Sequence, residues 1–82
     1  MTDFALWEAA LARRDDVESR TVHGDAHGTG VYVSRAFFFR NWTRFYDDPV
    51  YHVFIGGRLI VSTTDYMEAH TAWKRETDAG AK

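Results

Sequence analysis

The sequence predicts a small α+β domain over residues 1–82: an antiparallel sheet of about four short strands with an N-terminal, a middle and a C-terminal helix packed on it. Three observations carry this reading. Gly56-Gly57 separates two apolar runs, VYHVFI and RLIVSTT, and Gly-Gly in that setting is a hairpin signal because both turn residues need positive φ. A helical pattern, DYMEAHTAWK, follows the hairpin at once. A second helical pattern, DFALWEAALARR, opens the chain.

The first helix is expected over residues 3–14. Thr2 or Asp3 can cap it, and Arg13 and Arg14 suit the negative end of its dipole. Phe4, Trp7 and Leu11 form one stripe, and Leu6 and Ala9 lie off it. A polar connection then leads to a short strand around Ser19–His23. GDAHGTG, residues 24–30, is a loop by its glycines, and VYVS, residues 31–34, resumes as a strand.

The stretch SRAFFFRNWTRFYDD, residues 34–48, is ambiguous. Its aromatic content favours a strand. Its spacing favours a helix: at ~100° per residue, Phe38, Phe39, Trp42, Phe45 and Tyr46 fall on one side, with Arg40, Asn41, Thr43, Arg44, Asp47 and Asp48 on the other. No alternation of period 2 fits residues 38–46. Ser34 can cap such a helix and Pro49 can stop it, so a helix is expected, with a long strand to Arg40 followed by a turn as the alternative.

In the Gly-Gly hairpin, spanning residues 50–63, a two-residue turn pairs Ile55 with Arg58, Phe54 with Leu59, Val53 with Ile60 and His52 with Val61. Tyr51, Val53, Ile55 and Ile60 then share one face, and Val50, Phe54, Leu59 and Val61 the other. A sheet apolar on both sides needs cover on both sides, from helices or from a second subunit. The last helix is expected from Asp65 to about Thr77, capped by Thr64 or Asp65, with Glu68 at capping-box spacing from Asp65. Tyr66, Ala69, His70 and Trp73 make its apolar stripe, and a buried neutral His70 would make stability fall below roughly pH 6.

Composition narrows the function classes. The 82 residues contain no cysteine, which excludes disulfides and thiol chemistry. A net charge of −2 gives no global attraction to nucleic acid. The N-terminus lacks the basic-then-apolar order of a signal peptide, and no apolar run approaches the ~18–20 residues of a membrane span. A cytoplasmic protein without membrane association is expected.

Residues 22–27, VHGDAH, resemble part of the catalytic loop of the aminoglycoside phosphotransferase and choline kinase family, in which the Asp orients the substrate hydroxyl and a later Asn binds magnesium. The resemblance would make Asp25 the base. It spans residues 22–30 only and places Gly30 at the Asn position, and the chain offers no nucleotide-binding lobe. Kinase activity is therefore not expected. His23, Asp25 and His27 alternate, so an extended backbone could converge them on a metal with His52 or His70, but the spacing is not a specific ligand motif. No cofactor is expected. Ser34 and Ser62 are not in a GxSxG elbow, and an enzyme is not expected.

The remaining candidate is the basic–aromatic stretch, with Arg35, Phe37, Arg40, Trp42 and Arg44 as partner-binding residues. The resulting reading is a small non-catalytic interaction protein, an adaptor, inhibitor or regulator of the kind carried by phages and mobile elements, recognising a macromolecule, with protein ahead of nucleic acid. The alternative is a nucleic-acid-binding module using residues 35–46, since rings and arginines together suit single strands. A third reading is a His/Asp metal-binding protein. The quantity of apolar surface for so short a chain also predicts a homodimer, with Leu6, Trp7, Phe37 and Trp42 as contact candidates.

Overall fold

The computed structural model describes residues 2–25 and 27–80, and among these it shows two helices and five strands. Helix α1 (Asp3–Ala12) begins at Thr2, whose hydroxyl accepts the Ala5 N–H at 3.1 Å. Strands β1 (Val17–Gly24), β2 (Gly30–Arg40), β3 (Thr43–Tyr46), β4 (Val50–Ile55) and β5 (Arg58–Thr63) follow, and helix α2 (Tyr66–Gly80) closes the chain. The Asp65 carboxylate caps α2 by accepting the Met67 N–H at 3.0 Å. Glu68 accepts the Thr63 hydroxyl at 3.1 Å rather than completing a capping box.

The sheet is antiparallel with order β1-β2-β4-β5. Its centre is formed by β2 and β4, so their residues alternate between two buried faces. On one face Tyr32 and Phe54 pack against Phe4 and Trp7 of α1, with ring centroids 4.8–5.9 Å apart. On the other, Val31 and Val53 pack against Ala69 of α2, flanked by Tyr51, Val61, Ala72 and Trp73. The two-sided cover expected for the hairpin is thus supplied by one helix per face. The stripe expected on α2 is also seen: Ala69 is fully buried, and Tyr66, His70 and Trp73 gather around the His23 ring.

Two expectations are corrected. The middle helix over residues 34–48 does not form. Residues up to Arg40 continue β2, Asn41-Trp42 turn the chain, and β3 returns along β2, so the sheet gains a fifth strand. The physical reason is that neither face of this ribbon is buried. Aromatic residues occupy both faces, so the period of 2 vanishes from the sequence and a chance helical spacing remains. The second correction concerns register. Phe54↔Leu59 and Ile55↔Arg58 pair as expected, but a bulge at Ile60 shifts the ladder, so that Val53 meets Val61 and His52 meets Ser62. Val61 therefore lies on the Val53 face, and Ile60 is exposed.

Gly56 and Gly57 form the expected tight turn, with φ of 58° and 84°. Their demands differ. A Cβ on Gly56 would meet nothing within 4 Å, whereas one on Gly57 would lie 2.8 Å from the Thr2 Cβ. Gly57 also accepts the Phe4 N–H through its carbonyl at 2.8 Å, which seats α1 on the turn. Gly57→Ala is accordingly expected to cost more stability than Gly56→Ala, by about 1 kcal/mol or more, in paired urea melts; equal losses would show that the Thr2 contact is unimportant.

Candidate binding site

Strand β2 leaves the sheet near Phe37. Its first half lies between β1 and β4, and β1 ends opposite Ala36, where the Asp16 carbonyl accepts the Phe37 N–H at 2.8 Å. On the other side Asp47 donates its N–H to the Ala36 carbonyl at 2.9 Å, so β3 and β4 follow β2 as one strand interrupted before Pro49. Beyond that level only β2 and β3 remain, as a two-stranded arm. The molecule measures 53 × 28 × 16 Å along its principal axes.

The arm's register places Phe37, Phe39, Arg44 and Tyr46 on the face that continues the α2 side, and Phe38, Arg40, Thr43 and Phe45 on the α1 side. On the α2 side the Arg44 guanidinium lies over the rings of Phe37 (4.6 Å) and Phe39 (5.2 Å) and pairs with Glu18 of β1 at 3.0 Å. Arg35 covers Tyr46 at 4.8 Å and donates Nε–H to the Asp47 carbonyl at 2.8 Å. On the α1 side Phe38 and Phe45 stack at 5.5 Å. An isolated hairpin is marginal in water, and these cross-strand pairs together with the Glu18 tether hold the arm in register.

The tip is the most exposed part. Trp42 is 100% exposed, Phe39 62% and Phe38 51%. Asn41 and Trp42 both have positive φ, 52° and 67°. Asn tolerates this region; a bulky ring does so at a cost. Trp42→Gly is therefore expected to add up to about 1 kcal/mol of stability, read as a higher melting temperature, because it removes left-handed strain and no contact of the fold. A drop in melting temperature would show that the indole supports the arm.

Of the five partner-binding candidates, Phe37, Arg40, Trp42 and Arg44 lie on this arm and Arg35 just below it, opposite Glu18 of β1, as strand and turn residues rather than helical ones. The dimer candidates separate. Trp42 and Leu6 are exposed and Phe37 is half-buried, whereas Trp7 is engaged in the core against Phe4, Tyr32, His52 and Phe54. Phe38, Phe39, Phe45 and Tyr46, expected on one side of a helix, are instead part of the exposed arm. The signal that could have found it is Asn-Trp as a two-residue gap between FFFR and TRFY.

The histidine loop does not converge. The Asp25 carboxylate accepts the backbone N–H groups of His27 (2.8 Å) and Thr29 (3.2 Å), which hold its pKa below the ordinary carboxylate value. It is thereby a turn-forming group, and His27 is exposed. His23 turns to α2, 2.5 Å from the Tyr66 hydroxyl and stacked on Trp73 at 5.7 Å. Among the described residues no three His, Cys, Asp or Glu side chains are grouped to hold a metal. No described helix is long and apolar enough to cross a membrane.

The His52 ring is half-buried on the α1 side of the sheet. Its ring lies against Trp7 at 5.3 Å, between the hydroxyls of Ser34 (3.0 Å) and Ser62 (2.9 Å), and burial pushes its pKa down from 6.5. The folded state then binds fewer protons than the unfolded one just below pH 6.5. Stability is full above that pH and falls as the solution is acidified toward the lowered pKa. Denaturant midpoints between pH 7.5 and 5 should fall more steeply for the parent than for His52→Gln; parallel profiles would clear His52.

Compared with known proteins, the chain matches no family model, no curated protein and no solved structure.

Proposed function

We propose that this is a small non-catalytic cytoplasmic binding protein, an adaptor, inhibitor or regulator, whose β2–β3 arm is the element presented to a protein partner, with a homodimer as one of its states. The supporting observation is Trp42. A fully exposed indole on a left-handed backbone costs hydration and conformational energy and adds no contact to the fold. Such local costs are found where a surface is used. Phe37, Phe39, Tyr46, Arg35 and Arg44 surround the base and shaft, and aromatic rings and arginine are the residue types that dominate protein interfaces. The arm is also pre-organised by its own stacking, which lowers the ordering cost of binding.

A second reading, nucleic-acid binding, is favoured by one observation: Arg35, Arg40 and Arg44 alternate with rings on a ribbon that fits a major groove or stacks on single-stranded bases. Against it, the chain carries net charge −2, and the Arg44 guanidinium is already paired with Glu18.

The test is capture from extract of the native host by immobilised parent protein and by a Phe39→Ala/Trp42→Ala variant shown by circular dichroism to be folded. A protein retained by the parent and lost by the variant is expected. Retention of the same set by both would remove the arm from the reading. A fluorescent oligonucleotide bound by the parent, with affinity falling steeply as salt rises, would replace it by the second reading.

A further inference from the structure

We infer that the open groove on the α2-side face, where the arm leaves the sheet, binds a small phosphate monoester that carries a flat ring. The groove lies away from the Trp42 tip and goes beyond the reading of the arm, so either can fail alone.

Three strands build the groove. Arg20 pairs with Val33 and Val33 with Tyr51, so these residues of β1, β2 and β4 stand in one row across the sheet. In the next row Glu18 pairs with Arg35. Directly opposed residues project to the same face, which makes Arg20 and Arg35 diagonal neighbours on adjacent strands. Tyr46 of β3 and Pro49 line the rest, and the groove measures about 540 Å³, within the ~300–1,000 Å³ of small-molecule sites.

The fold gives neither arginine a carboxylate. Glu18 is the one carboxylate lining the groove, and although it stands opposite Arg35 it is paired with Arg44 at 3.0 Å. Arg20 makes no ion pair or side-chain hydrogen bond among the described residues. Arg35 is held in place without being used up. Its Nε–H donates to the Asp47 carbonyl at 2.8 Å and its guanidinium lies over the Tyr46 ring at 4.8 Å, while its two terminal nitrogens have no partner among the described residues. A guanidinium fixed through Nε with its terminal N–H groups free is a pre-organised fork for an oxyanion. The phenols agree with it. Tyr46 Oη accepts Arg44 Nη1–H at 3.3 Å, so its own hydrogen remains to donate, and the Tyr51 hydroxyl makes no hydrogen bond among the described residues.

The groove therefore offers donors to a ligand, on two cations and two phenols. Charge selects the anion. Arg20 and Arg35 carry two positive charges, and Glu18 is already offset by Arg44. A carboxylate brings one charge and two oxygens, and a nucleic-acid phosphodiester also brings one charge. A phosphate monoester brings about −1.5 to −2 and three strong acceptor oxygens, which matches the pair. Beside the arginines, Val33, Pro49 and the Tyr51 ring present apolar surface, on which a flat ring can stack.

Calorimetric titration at low salt with adenosine monophosphate as the probe tests this, with adenosine and inorganic phosphate as its two halves. The nucleotide is expected to bind, and each half at least about tenfold more weakly. Arg20→Gln and Arg35→Gln should each raise the dissociation constant by at least about tenfold, because each removes a charge-assisted contact. Arg20→Lys keeps the charge but loses the fork, and should also weaken binding. Arg13→Gln, which removes the same charge on the exposed end of α1, should leave the constant within about twofold. Arg20 is exposed and makes no side-chain hydrogen bond in the fold, so its variants keep the test decisive even if Arg35→Gln melts early. A parent that binds no nucleotide at about 10 mM overturns the inference. So does binding indifferent to Arg20→Gln, or weakened as much by Arg13→Gln. Adenosine bound as tightly as the nucleotide removes the phosphate, and inorganic phosphate bound as tightly removes the ring; either result overturns the assignment. A single-stranded oligonucleotide that displaces the nucleotide from the groove at lower concentration overturns it in favour of nucleic acid.

Discussion

The structure depends on the continuity of β2. Eleven residues in one strand, Gly30–Arg40, span about 36 Å at the strand rise. The ten residues of α1 span about 15 Å and the fifteen of α2 about 22 Å. Neither helix can cover the strand along its length. What they cover is the half bounded by Val31, Tyr32 and Val33 on β2 and Val53 and Phe54 on β4, where alternation feeds two cores from one pair of strands. The other half must be exposed whatever its residues are. That it consists of rings is a choice of sequence and not a need of the fold.

The same constraint accounts for the arm's order. A two-stranded ribbon without a core beneath it is weakly held. This one draws on contacts that exposed ribbons can make: a stacked cross-strand Phe38–Phe45 pair on one face and guanidinium groups laid over rings on the other. Arg44 serves twice, covering Phe37 and Phe39 while its pairing with Glu18 ties the arm to the edge strand β1. Being surface contacts, each is worth little singly, and their effect is to narrow the arm's conformations rather than to stabilise the domain.

Where burial decides conformation, the sequence was readable. Phe4, Ala69, the Gly56-Gly57 turn and the Tyr66–Trp73 stripe could be placed from spacing and caps, because each lies on one buried face and its period survives. The bulge at Ile60 could not, since it adds one residue without any punctuating Gly or Pro. The arm could not for a deeper reason. Hydrophobic periodicity reports the direction of the core, and Phe38 and Phe39 on a free ribbon point to opposite sides of a structure that has no core between them. Arg35, Phe37, Arg40, Trp42 and Arg44 stand out by composition, as arginines among rings, while composition does not show the ribbon that carries them. Arg20 and Tyr51 lie far apart in the chain, and the β1-β2-β4 order sets them on either side of Val33.

The chain contains its own control for the meaning of Trp42. Two hairpins are closed by two-residue turns with positive φ at both positions. At Gly56-Gly57 the demand is structural: Thr2 and the first turn of α1 lie against the second glycine, and glycine is the residue used. At Asn41-Trp42 the surroundings are open, and glycine would again relieve the backbone, yet the second position holds the largest side chain available. The local physics that selects glycine in one turn selects against tryptophan in the other. On the function proposed above, an indole kept there at a cost in strain and hydration has its compensation outside the fold, in the surface that receives it.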